Sequence, residues 1–215
     1  WNMAEPSKRR RPSLDHLDEN QFAELLAAER KQSYAGLLGG VNHGVSGCSM
    51  QTISRSVIDH LENTSEKCII FIQPTNIHRW CEYVDGKWID LRAGAEHHDQ
   101  GLAQYSKFRI LHSTDYSNLI LWHDRMLTLT AYVKSHSNTS DWWIINNGVF
   151  NEIESIIDEQ KISNKMISTT ISSLKEKMIN FPHVDDMDHP YYTAGGHVNR
   201  EAHNKLAQRI EKKLQ

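Results

Sequence analysis

Three short stretches carry groups whose types and placement could do chemistry. Asn42-His43-Gly44-Val45-Ser46-Gly47 ends in a glycine turn, where a backbone can approach a ligand closely and point an amide N–H at it. Gln73-Pro74-Thr75-Asn76 follows an apolar run and leaves Asn76 just beyond it. Gly195-Gly196-His197-Val198-Asn199 sets a histidine before the last amphipathic segment. A glycine turn, an asparagine after a strand and a histidine before a helix together describe an active-site rim on an α/β fold. Each has a plainer reading too: Gly47 as a left-handed turn residue, Asn76 as a cap after Pro74, His197 as an exposed residue near a helix start. Ser46 and Ser49 read as turn and cap residues. Arg79, Trp80 and Trp88 are candidates for a substrate rim, because indole rings stack on sugar faces, although tryptophans more often fill cores. His183, Asp185, Asp186, Asp188 and His189 have metal-ligand types but no fixed helical spacing such as His-Glu-x-x-His. A polar loop beside the site is the preferred reading there; no metal or cofactor is assigned.

The elements that must position these groups alternate between strand and helix. Asp18 or Asn20 suits the cap of a first helix carrying Phe22, Leu25 and Leu26, and Gly39-Gly40 ends it. Val41–Val45 reads as a short strand, followed by a helix from about Ser49 to Leu61 with Ile53, Val57 and Leu61 on one face. Cys68–Ile72 is the clearest strand, apolar on both faces as in a sheet covered by helices on both sides, and Pro74 ends it. Asp85-Gly86 suits the tight turn of a hairpin, and Ala93–Gly101 reads as a loop. Leu119, Trp122, Met126, Leu129 and Val133 mark the buried face of a helix, and Trp142–Ile145 a buried strand. Phe150–Ile179 reads as one or two helices, Phe181–Tyr192 as an irregular loop, and a final helix starts at about Asn199. The alternation predicts a mainly parallel sheet with helices on both faces. Ligands on such a sheet sit beyond the C-terminal ends of the strands, where Gly47, Asn76 and the loop after Ile145 would gather. Residues 1–18, with Lys8–Arg11 between Pro6 and Pro12, read as a polar basic arm or loop insertion, and 19–215 as a single domain.

The totals bound the partners. The 215 residues suffice for one α/β domain with a sizeable core. A formal net charge of −3 gives no bulk attraction to nucleic acid or anionic membranes, and neither is expected as a partner. No apolar run approaches the ~20 residues of a membrane span, and the given residues show no signal-peptide pattern. Cys48, Cys68 and Cys81 are an odd number at ordinary spacing, which argues for a reducing compartment over a disulfide framework.

Taken together, these stretches resemble a known family. Asn42–Gly47 resembles the second conserved block of the SGNH (GDSL-type) hydrolases, commonly Asn-x-Gly-x-Ser-Gly. Asn76 resembles the third block, an asparagine ending a strand. Gly196-His197-Val198-Asn199, with Ala202-His203 and Leu206-Ala207 downstream, resembles the last block, which carries the catalytic histidine. Arg79-Trp80, Tyr83 and Trp88 are similar to bacteriophage members of the superfamily. The likeness runs from about Asn42 to the C-terminus. It implies a flavodoxin-like three-layer sandwich and a serine that attacks an ester carbonyl while a histidine takes its proton. His197 would be that base, with Asn76 and Gly47 the oxyanion donors. The implied substrate is a small acyl ester, such as an acetyl group on a carbohydrate, with no cofactor. A cytoplasmic or virion-associated location is expected, and the oligomeric state stays open.

Two departures shape what to expect. No Gly-Asp-Ser block is present; Ser13, in Arg11-Pro12-Ser13-Leu14, lies about as far before Gly47 and Asn76 as a family serine would, but no apolar strand precedes it. The family's acid usually stands three residues before the histidine, where this chain has Ala194, so Asp186 or Asp188 would fold back to orient His197, or the site works as a dyad. In a sheet of order 2-1-3-4-5, Val41–Val45 would be strand 2 and Cys68–Ile72 strand 3, with strand 1 between them. Residues 1–13 are ill suited to that slot, so an upstream segment of ~10–20 residues is expected to supply the central strand and a Gly-x-Ser turn. Two alternatives stand beside the esterase: a non-catalytic structural or binding protein, such as a virion component, that retains the fold, and a metal-dependent hydrolase using the His183–His189 loop.

Overall fold

The computed structural model describes residues 18–44, 48–92, 100–185 and 198–215. In chain order the elements are α1 (Glu19–Gln32), α2 (Tyr34–Leu37), α3 (Met50–Asn63), β1 (Cys68–Ile72), β2 (Arg79–Val84), β3 (Lys87–Arg92) and α4 (Gln100–His112). There follow α5 (Asp115–Ser135), β4 (Thr139–Asn146), α6 (Val149–Glu159), α7 (Lys165–Lys175), β5 (Met178–Asn180), α8 (Pro182–Asp185) and α9 (Arg200–Leu214). The chain forms two compact units, residues 43–180 and residues 1–42 with 181–215.

The larger unit is α/β. Its three-stranded sheet has the order β1-β4-β5, and both pairings are parallel. Parallel neighbours need crossover connections, which α4 and α5 supply before β4, and α6 and α7 before β5. The period of two sends Ile70, Ile72, Trp142, Ile144 and Met178 to one face. There they join Met50 and Leu61 of α3, Leu119, Trp122, Met126 and Leu129 of α5, Phe150 and Ile153 of α6, and Ile167 and Ile171 of α7 in one core. Trp122 and Phe150 meet edge to face at 5.6 Å, a favoured geometry for two ring quadrupoles. Ser49 caps α3 by accepting from Thr52 N–H, as its residue type predicts. Asp85 (φ 50) and Gly86 (φ 80) are both left-handed, the two-residue turn that matches the twist of the β2–β3 hairpin.

Several expectations need correction. Residues 41–44 are irregular, not the start of a strand: Val41 is 72% exposed, and the Asn42 amide donates to Ser33 Oγ at 3.0 Å. Without a neighbour to pair with, an extended segment has no ladder for its backbone groups. The β1 strand is not covered on both faces. It is the edge of the sheet, pairing on one side with β4 and on the other with no strand among the described residues, and Ile69 is 40% exposed. Phe150–Ile179 contains two helices but also yields β5 at its end, a strand too short for a period of two to show. Of the expected loop Ala93–Gly101, residues 93–99 lie outside the described residues, and Gln100 and Gly101 instead open α4, an element whose apolar residues do not gather on one face: Phe108, Ile110 and Leu111 are exposed.

In the smaller unit α2 and α8 both pack on α9. Asp18 and Gln21 form a reciprocal capping box on α1, and Asn199 caps α9 by accepting from Ala202 N–H at 3.0 Å. The rings of Tyr34, Phe181 and His203 cluster, with centroids 5.6–6.1 Å apart. His203 Nδ1 accepts from the Tyr34 N–H at 3.4 Å, and burial lowers the imidazole pKa below its ordinary value. The unfolded chain therefore takes up this proton more readily than the folded one. Stability should be unaffected above about pH 6.5 and fall as the pH drops from there toward the folded-state value. Thermal unfolding followed against pH should show that decline, and His203→Gln should flatten it. Parallel curves for the two proteins would assign the acid sensitivity to other groups.

Candidate functional site

The loop after β1 is built to be rigid. Pro74 and Thr75 are buried, and the Thr75 carbonyl accepts the indole N–H of Trp122 at 2.9 Å, which fastens the loop to α5. Asn76 then closes a local turn, its Oδ1 accepting from the His78 N–H at 2.7 Å. Its amide Nδ2 lies 2.6 and 2.7 Å from the two carboxylate oxygens of Glu152. Glu152 stands in the first turn of α6, where the helix dipole favours a negative charge. His78 lies 3.6 Å from Asp115 of α5 and 3.5 Å from the Asn118 amide. The loop after β1 and the helix after β4 thus meet, through Asn76 and Glu152, beyond the C-terminal ends of two adjacent parallel strands.

A second asparagine network ends the other two strands. Asn146, 1% exposed, donates to Asn180 Oδ1 at 3.0 Å and to Asn151 Oδ1 at 3.3 Å. Its own Oδ1 accepts from the N–H groups of Gly148 (2.9 Å) and Phe150 (3.3 Å), which turns the chain from β4 into α6. Gly148 occupies the N-cap of α6 with φ 102, a conformation that side chains rarely adopt. These hydrogen bonds satisfy a buried amide and fix the strand ends relative to each other. Sequence reasoning missed Glu152, Asn146 and Asn180. A signal for the last two exists: the apolar strands end alike, Ile145-Asn146 and Ile179-Asn180. Glu152 has no such signal, because its meeting with Asn76 depends on the crossover.

Of the other expected site residues, Ser13, Gly47, Asp186, Asp188 and His197 lie outside the described residues. His43, from the block around Gly47, sets its ring 4.8 Å from that of His60, the two planes tilted by 54°. The expected rim divides. Trp80 and Trp88 lie on opposite faces of the hairpin, since Trp80 is opposite Leu91 and Trp88 opposite Tyr83. Trp88, 54% exposed, pairs with Tyr83 at 5.1 Å and carries Arg55 over its ring at 4.0 Å. Arg79 and Trp80 instead line a cleft with Arg109 of α4 and Arg125 of α5. Two members of the expected metal-type loop are described: His183 is buried against Phe181, with rings 5.5 Å apart, and Asp185 pairs with Arg209. Among the described residues, no group of three His, Cys, Asp or Glu side chains could hold a metal ion. No disulfide links the three cysteines, and no helix among the described residues is long and apolar enough to cross a membrane. Set against known proteins, the chain matches no protein-family model, no curated protein and no solved structure.

Proposed function

We propose that this chain is a serine ester hydrolase of the SGNH type, on a flavodoxin-like three-layer fold, acting on a small acyl ester such as an acetylated carbohydrate. The observation that carries the reading is the position of Asn76. It lies beyond the C-terminal end of a parallel strand, where ligands of such sheets bind, on a loop held rigid by Trp122. The order β1-β4-β5 also fits the 3-4-5 side of a doubly wound sheet.

In this reaction a serine hydroxyl, with Ser13 the candidate, attacks the ester carbonyl as its proton passes to His197, oriented by Asp188 or acting in a dyad. The Asn76 amide and the Gly47 N–H receive the developing oxyanion, and His197 returns the proton to the leaving alcohol. Water then attacks the acyl-serine by the same route and releases the acid. For Asn76 to serve, its amide must turn from Glu152 toward the oxyanion.

That pairing favours a second reading, a binding protein on the same fold, in which the Asn76–Glu152 link is purely structural. A fluorophosphonate probe separates the two. The hydrolase should form a single serine adduct, mapped by mass spectrometry to Ser13, and should cleave p-nitrophenyl acetate. An adduct elsewhere moves the nucleophile; no adduct and no hydrolysis leave the binding protein.

A further inference from the structure

We propose that the cleft lined by Arg79, Trp80, Arg109, Asn118, Trp122 and Arg125 binds a terminal phosphoryl group. Binding there does not depend on ester hydrolysis and holds whether or not the chain is an enzyme. The three arginines come from separate elements: Arg79 opens β2, Arg109 stands in the last turn of α4, and Arg125 lies within α5. Folding thus brings three like charges to one place, which is unfavourable unless an anion offsets it.

Among the described residues no carboxylate does so. Glu82, on the same face of β2 as Trp80, accepts the Tyr105 hydroxyl at 2.7 Å. Asp90 holds the Ser49 N–H at 2.9 Å and the Thr52 hydroxyl at 2.7 Å. Asp115 faces His78, and Asp124 lies 3.1 Å from His123. Arg109 lies over the Trp80 ring at 5.3 Å, which orients both groups. The Trp80 indole N–H and the Arg109 Nε–H are buried donors without an acceptor. The Asn118 amide makes only long contacts, 3.5 Å to His78 Nδ1 and 3.5 Å to Ser113 Oγ, and is free to turn. The cleft is therefore lined by three arginine residues and by an amide that can turn toward an anion.

One guanidinium fork satisfies the two oxygens of a carboxylate. Three arginines from separate elements suit a dianion with three free oxygens, the terminal group of a phosphomonoester or inorganic phosphate. A phosphodiester presents only two free oxygens and one charge.

The test titrates the full chain with inorganic phosphate, methyl phosphate, dimethyl phosphate and acetate at constant ionic strength in sodium chloride. Calorimetry and tryptophan fluorescence report binding, since Trp80 and Trp122 line the cleft. Inorganic phosphate and methyl phosphate should bind saturably, and their relative affinity tells free phosphate from a monoester as the native ligand. Dimethyl phosphate and acetate should bind at least about tenfold more weakly. Arg109→Gln should weaken phosphate roughly 10–100-fold, as expected for loss of a hydrogen bond to a charged group. Arg125→Gln, at an exposed side chain, should weaken it about tenfold. The absence of a saturable response above chloride, or acetate binding as tightly as phosphate, overturns the proposal. So does wild-type affinity in Arg125→Gln, even if Arg109→Gln fails to fold.

Discussion

His197→Ala is expected to reduce ester hydrolysis about 10³-fold or more, with the fold unchanged. The size of the effect follows from the way a nucleophile and its base act as a unit: removing either leaves only what positioning and oxyanion donors supply. The fold should survive because α9 is held by other residues. Ala202, Leu206, Ala207 and Ile210 form its buried face, and Asn199 caps it. Turnover of p-nitrophenyl acetate alongside far-UV circular dichroism measures both halves of the expectation. Near-normal turnover in a folded variant removes His197 from the mechanism.

Asn76→Ala should lower kcat roughly 10²–10³-fold and leave KM nearly unchanged, because the amide is proposed to meet a charge that exists only in the transition state. The link to Glu152 gives this prediction a control. If the amide is an oxyanion donor, Glu152→Ala frees it and should preserve kcat or raise it. If the link only braces the loop after β1 against α6, both substitutions should destabilise the protein alike and neither should act on kcat selectively. Steady-state kinetics and urea unfolding on the two variants and their double mutant distinguish the cases, since a structural pair shows its coupling in stability and a catalytic donor in kcat. A rise in KM alone would make Asn76 a substrate-positioning residue.

The elements with a strong local signal were legible in the sequence: Ser49 and Asn199 as caps, Asp85-Gly86 as a hairpin turn, and the period of α5. What failed depended on pairing across the chain. Val41–Val45 has strand composition, but composition cannot supply a neighbouring ladder. The three residues of β5 count as a strand only because they lie in register with Ile144, Ile145 and Asn146. At the candidate site, Asn76 was legible because an apolar run and a proline mark the strand end. Glu152 was not, because its role arises only when the crossover sets α6 beside that loop. The division of Trp80 from Trp88 follows from hairpin register. Sequence spacing suggested one rim, whereas pleat alternation places the two rings back to back.

The side of β1 that no described strand pairs bears on how the protein behaves at high concentration. Its five residues, Cys-Ile-Ile-Phe-Ile, carry no charge and no proline, the composition of a segment that invites another strand to add to it. Lys67 would ordinarily guard such an edge, but its ammonium is engaged with the Ser137 carbonyl next to β4. Guarding falls to Glu66 before the strand and to Pro74 after it, which has no N–H to donate. These flanks confine an added strand to a five-residue register, too short to be stable as an isolated pair. The edge is thus a weak nucleus for self-association, and its hazard is contained by the ends of the strand, not by its face.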